Sequence, residues 1–293
     1  MKTKLLILFL FTTGLLGCGR AQEKARLELA QLNVPYLETT FVDNARDGNT
    51  DIVKLFLDAG MDLEVKTVGG QTALMVAALA NKIDVVKLLL EKGADVDARN
   101  KHGGTALMTA AWKGHLEVAQ LLLAQDPDLE VKDNRGMTAL MFAVWENHPE
   151  VAKAILAQGA KVEARDANGW TALMRAAFKG HTDLVLMLIE KGADVNASSE
   201  KGETALIVAA DTGQAGPVKL LLARQANINA QDGEKKTALL RAAAGGHTAV
   251  VRELIEKGAD LNSTDSNGKT ALQLAEDQQH TELVQLLKDK GVR

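Results

Sequence analysis

Gly136-Met-Thr-Ala-Leu-Met141 is the stretch that decides how the rest of the chain is read. Its Thr-Ala-Leu core returns at Thr72, Thr105, Thr138, Thr171, Thr204, Thr237 and Thr270, and every step is 33 residues, with no insertion or deletion. One step earlier stands Thr39-Thr40-Phe41, a worn copy. Repetition at a fixed period means that each unit is one small element unable to bury its apolar face alone. Stacked units share a continuous core, so every residue has to be judged against its equivalents in register.

Within one unit the physical roles are readable. Thr105 is placed to cap a helix by accepting a free backbone N–H. Ala106, Leu107, Ala110 and Ala111 give that helix a small, apolar face that lets an antiparallel partner approach closely. Gly114-His115 turns the chain, and Val118, Leu121, Leu122 and Leu123 supply the second helix. A glycine such as Gly93 or Gly159 ends it, where a positive φ is needed. Asp126 and Gln225 stand at that glycine position in two copies, so strained helix ends are expected there. Asp133-Asn134-Arg135-Gly136 is a turn by composition.

The order Thr-Ala-Leu, Ala-Ala-x-x-Gly-His, x-x-Val-x-x-Leu-Leu-x-x-Gly-Ala-x-Val resembles the ankyrin repeat, most fully in residues 104–131 and 168–196. The resemblance covers residues 39–293 and implies an all-α solenoid of about eight 33-residue helix-turn-helix repeats with short β-hairpin loops. The family's Thr-Pro-Leu-His opening reads Thr-Ala-Leu-Met here, at Met75, Met108, Met141 and Met174, then Ile207, Leu240 and Gln273. Apolar packing therefore replaces the expected Thr–His hydrogen bond. The first copy is degenerate, and the last is a polar cap carrying Gln278, Gln279, Glu282 and Gln285.

Ahead of the repeats, Lys2 and Lys4 precede an uncharged apolar run from Leu5 to Leu16. Twelve residues of helix reach about 18 Å, short of the ~30 Å bilayer core, so the run reads as a signal peptide over residues 1–17. Leu15-Leu16-Gly17-Cys18 resembles a bacterial lipoprotein cleavage box with Cys18, the sole cysteine, as the lipidated residue. In that family Gly19 implies sorting to the outer membrane, facing the periplasm. Residues 18–38 are then a lipidated tether and an N-terminal capping helix, with Leu27, Leu29 and Leu32 able to cover the open first repeat. The formal charge is −4, and cleavage would remove two lysines, which is a poor match to nucleic acid.

Catalytic and metal chemistry find no support in the pattern. His115, His148, His181, His247 and His280 share one register, about 10 Å apart between neighbouring repeats, whereas zinc ligands lie about 2 Å from one ion. These read as turn histidines bonded to nearby backbone, and His102 as a solvated hairpin residue. Asp166-Ala-Asn-Gly lacks the glutamate a calcium loop needs twelve positions on, where Ala177 stands. No nucleophile elbow, phosphate loop or His-Glu-x-x-His occurs, so neither an enzyme nor a cofactor is expected.

What the repeat does not dictate carries the functional reading. All three tryptophans, with Phe142 and Phe178, fall in slots that vary on the first helices and hairpins, where members of the resembled family contact their targets. Trp112, Trp145 and Phe178 occupy equivalent positions in three adjacent repeats and are expected to line up side by side. Phe142 shares a helical face with Trp145, and Met137 and Trp170 precede the capping threonines. Lys113, Arg135, Arg175 and Lys179 form a basic rim. At ~150–250 Å² per aromatic, five rings reach the scale of a functional patch. The expectation is a monomeric, membrane-anchored protein that binds another, acidic protein through this groove, as inhibitor, immunity protein or scaffold. The alternatives are a site for a glycan or peptidoglycan fragment and a purely structural envelope protein.

Overall fold

A computed structural model describes residues 18–291. The expected signal peptide lies outside the described residues. The described residues divide into two compact units, the first ending at Asp95 and the second beginning at Val96.

In the first unit the described helices are α1 (Cys18–Gln31), α2 (Glu38–Asp47), α3 (Thr50–Asp58), α4 (Ala73–Leu79) and α5 (Ile83–Glu91). Helix α1 packs on α3 and covers the first repeat, but not with all three expected leucines. Ala25 and Leu29, four apart on one face, are buried, whereas Leu27 and Leu32 are 57% and 55% exposed. The reason is angular: at 100° per residue Leu27 points away from the Ala25–Leu29 stripe, and Leu32 lies beyond the helix end. Tyr36 stacks on Phe56 at 5.6 Å and donates its hydroxyl to the carbonyl of Ala59. The worn copy has lost its cap. Helix α2 starts after an extended Leu37 with no side-chain hydrogen bond, which leaves Thr39 inside the helix.

In the second unit the inner helices are α6 (Ala106–Lys113), α8 (Ala139–Trp145), α10 (Ala172–Lys179), α12 (Ala205–Asp211), α14 (Ala238–Ala244) and α16 (Ala271–Asp277). Each packs on the next. The outer helices are α7 (Leu116–Leu123), α9 (Pro149–Ala157), α11 (Thr182–Glu190), α13 (Ala215–Ala223), α15 (Thr248–Glu256) and α17 (Thr281–Asp289). The inner helices carry the alanines, and Ala110, Ala111, Ala143, Ala176 and Ala177 are fully buried. Small side chains are what lets the inner row stack closely.

Every Thr-Ala-Leu threonine from Thr72 to Thr270 caps its helix by accepting the N–H three residues on. Met75, Met108, Met141, Met174, Ile207 and Leu240 fill the core behind the cap, each 3% exposed or less. Gln273 instead returns its side chain to the N–H of Thr270 and completes a capping box on the exposed last copy. The polar cap residues Gln278, Gln279, Glu282 and Gln285 are all exposed.

The hairpins are turns rather than paired strands. Among the described residues one isolated bridge, Ser198–Thr204, is the sole strand pairing. A carboxylate or its equivalent organises each turn. Asp133 accepts the N–H groups of Arg135 and Met137 at 2.9 Å, and Asp166 does the same for Asn168 and Trp170. Successive tips are joined by backbone bonds such as Asn134 N–H to His102 O and Ala167 N–H to Arg135 O. A second ladder joins the loops: Glu130 accepts the N–H of Lys161, Glu163 that of Asp194 and Asn196 that of Asn227, each pair 31 residues apart.

These bonds leave a pH signature. Burial opposes the charge of Asp265, but the N–H groups of Lys269 and Asn267 and two nearby lysines outweigh it and hold its carboxyl below the ordinary range. Lys236, by hydrogen bond and charge, lowers Glu234 as well. A lowered carboxyl contributes stability that is present above its unfolded value and lost as pH falls through the folded one. Resistance to urea is therefore expected to weaken below about pH 4, and Asp265→Asn to remove part of that dependence.

Four of the turn histidines bond to backbone, as expected. His148, His181, His247 and His280 each direct Nε2 at a carbonyl 36 residues earlier, at 2.9–3.3 Å. A carbonyl can only accept, so Nε2 carries the proton and donates. Asp126 and Gln225 adopt φ of 51° and 64°, the left-handed region, at the ends of α7 and α13. Asp126→Gly and Gln225→Gly are expected to raise stability by about 1 kcal/mol each, measured by urea unfolding.

Candidate functional site: an aromatic and cationic face on three inner helices

Helices α6, α8 and α10, with the hairpins before them, bring most of the variable residues together. Trp145 and Phe178, one repeat apart, stack at 5.9 Å with an interplanar angle of 12°. Trp170, reaching in from its hairpin, meets Phe178 edge-on at 5.5 Å. Trp112 does not continue the stack. Its indole N–H donates to Glu146 at 3.1 Å, and the residue is 43% exposed. Phe142, half-buried, lies under the guanidinium of Arg135 at 5.3 Å.

The cations sit over these rings. Lys113 Nζ lies 4.0 Å from the Trp112 ring centre, and Lys179 Nζ 4.7 Å from that of Trp145. Such contacts are worth about 0.5–1 kcal/mol at exposed sites. Among the described residues neither lysine has a carboxylate partner. Arg135 is shared with Asp133 at 3.0 Å, yet its side chain remains 67% exposed.

Two expected site residues prove to be internal. Met137 is 4% exposed, so its side chain belongs to the core and not to the face. Arg175 is no rim residue: its side chain is 11% exposed and pairs with Asp166, which is 0% exposed. The guanidinium lies 5.2 Å from the Trp145 ring centre and 5.9 Å from that of Trp170, and its Nε is buried without a hydrogen-bond partner. Arg175 therefore positions the two indoles. Arg241 and Asp232 repeat the pairing two units later.

Three residues that sequence reasoning passed over complete the arrangement. Glu203 accepts the indole N–H of Trp170 at 2.9 Å, Glu146 accepts that of Trp112, and Asp166 neutralises Arg175. With the Trp112 and Trp170 N–H groups satisfied internally, the face offers a partner aromatic ring surface and the ammonium groups of Lys113 and Lys179. Among the described residues no group of three or more His, Cys, Asp or Glu is placed to hold a metal ion. No helix among them is long and apolar enough to cross a membrane.

The family model described as ankyrin repeats (three copies) matches residues 38–100, 97–166, 140–232 and 217–293. The chain belongs to the ankyrin-repeat family. No curated protein matches it. Ankyrin repeats are generally protein–protein interaction modules, and members of the family are typically not enzymes.

Proposed function

We propose that this protein is a non-catalytic, monomeric binding module that captures an acidic protein partner on the face made by α6, α8 and α10. The observation that carries this reading is the pair of uncompensated ammonium groups, Lys113 and Lys179, held over Trp112 and Trp145. Organised cations beside apolar rings favour a surface that carries carboxylates next to apolar side chains. The same geometry speaks against a glycan: Phe178, Arg175 and Lys179 all lie over or against the Trp145 ring, leaving little open face for a sugar to stack on.

Anchoring belongs to the same proposal. The lipoprotein-like box before Cys18 supports acylation there, with the protein held at the bacterial outer membrane facing the periplasm. Helix α1 starts at Cys18, so a lipid on that residue would hold the first repeat close to the bilayer. Labelling cells with an alkyne fatty acid should mark the native chain and not Cys18→Ser. Equal labelling of both would remove the anchor from the account.

The binding face is tested by photo-crosslinking. A benzophenone amino acid replaces Trp112 in one variant and the exposed Lys153 of α9 in another. Adducts with an envelope protein are expected from position 112 and not from position 153. Adducts from 153 alone would place the interface on the outer helices.

A further inference from the structure

The three adjacent repeats that form the face carry a charge register that specifies more than an acidic partner. The residue after the aromatic slot reads Lys113, Glu146, Lys179, one per repeat. Neighbouring repeats at this slot carry no charge on the C-terminal side, where Thr212 and Gly245 follow. The two lysines are fixed over their rings, and Glu146 is fixed between them by the Trp112 N–H. The face thus presents positive, negative, positive in a fixed order.

The spacing follows from the stacking. Packed helices lie about 10 Å apart, so Lys113 and Lys179, two repeats apart, are separated by about 20 Å. An extended chain rises about 3.1–3.4 Å per residue, so three residues match one repeat and six match two. A helix at 1.5 Å per residue would need about thirteen.

Resting on the binding reading above, we infer that the face takes an extended acidic segment of its partner, with carboxylates at positions i and i+6 and a non-acidic residue at i+3. The outer carboxylates meet Lys113 and Lys179. The central residue faces Glu146, whose charge disfavours a third carboxylate. In a chain with three residues per turn all three positions share one side, so the register is read by side chains alone.

The test uses the purified full-length chain and an array of ten-residue peptides. Each peptide carries two glutamates at one spacing, from two to eight, in a neutral background of alanine, leucine, serine and proline. A second set adds a glutamate midway. Affinities are taken by fluorescence anisotropy at low and moderate salt. The spacing of six is expected to bind about threefold tighter than four, which corresponds to losing one of the two exposed ion pairs. The midway glutamate should cancel that gain. Lys113→Gln with Lys179→Gln should remove the spacing preference while the melting curve stays cooperative and shifts only by the loss of two exposed cation–π contacts. Glu146→Gln keeps the acceptor for Trp112 and should make the midway glutamate harmless. Equal affinity at every spacing, or an unchanged midway penalty in Glu146→Gln, would overturn the register. If the crosslinking at position 112 succeeds while the array shows no spacing preference, the register is wrong and the binding face stands. If both fail, the face itself is wrong.

Discussion

Asp166→Ala is expected to lower stability by about 3–5 kcal/mol, read from the urea midpoint of tryptophan fluorescence. The substitution leaves the Arg175 guanidinium buried with no counter-charge, beneath Trp145 and Trp170. It also strips the N–H groups of Asn168 and Trp170 of their acceptor, so the hairpin opens. The chain itself supplies the control. One repeat later the same two positions are Ser199 and Val208, and Ser199 still accepts the hairpin N–H groups of Lys201 and Glu203. Asp166→Ser combined with Arg175→Val should therefore recover most of the loss. A double variant as unstable as Asp166→Ala would mean that the cost lies elsewhere than in the orphaned charge. All three tryptophans lie in neighbouring repeats, so the fluorescence reports this region, which matters in an array that need not unfold in one step.

Gly136→Ala should cost about 2–4 kcal/mol, the sum of a left-handed backbone and a steric clash. Gly136 has φ of 76°, and a Cβ there would stand 2.4 Å from the backbone nitrogen of Ala167 on the next hairpin. That nitrogen belongs to the tip ladder, where its N–H donates to Arg135 O at 3.0 Å, so it cannot retreat freely. Gly159→Ala separates the two contributions. Its φ is 91°, but a Cβ would meet nothing within 4 Å. The expected loss there is about 1–2 kcal/mol, from conformation alone. If both glycines cost the same, close contact between hairpin tips adds nothing to their rigidity.

Much of the fold was legible because the period is exact in the sequence and each slot has one physical job. The capping threonines, the buried alanines, the turn histidines and the left-handed Asp126 and Gln225 all follow from position within the repeat. The tip and loop ladders were not legible, since a bond between residues 31 or 32 apart leaves no local pattern. The site was legible in part. Slots in register meet across repeats, which correctly paired Trp145 with Phe178 and would equally have paired Trp170 with Glu203. Arg175 was misread as a rim cation because its sequence neighbourhood does not show Asp166 nine residues back on the hairpin. Met137 was misread because hydrophobicity alone does not tell a buried apolar residue from one presented to a partner, and the same slot is half-buried at Trp170.

The binding account also separates positioning from contact. Arg175, Asp166 and Glu203 hold the indoles, whereas Lys113, Lys179 and the exposed part of Trp112 are what a partner meets. Substitutions in the first group should change stability and binding together. Those in the second should change binding far more than stability.

The most direct measurement is an affinity comparison with a matched-fold control. The full-length chain and a variant carrying Trp112→Ala, Trp145→Ala and Phe178→Ala are coupled at equal density and offered the proteins of the cell envelope and its secretions. The variant is accepted only if its circular dichroism and repeat-array unfolding remain cooperative. The account predicts an acidic protein retained by the native chain, lost from the variant and released by raised salt. Retention of the same protein by both would contradict it and move the interface off this face.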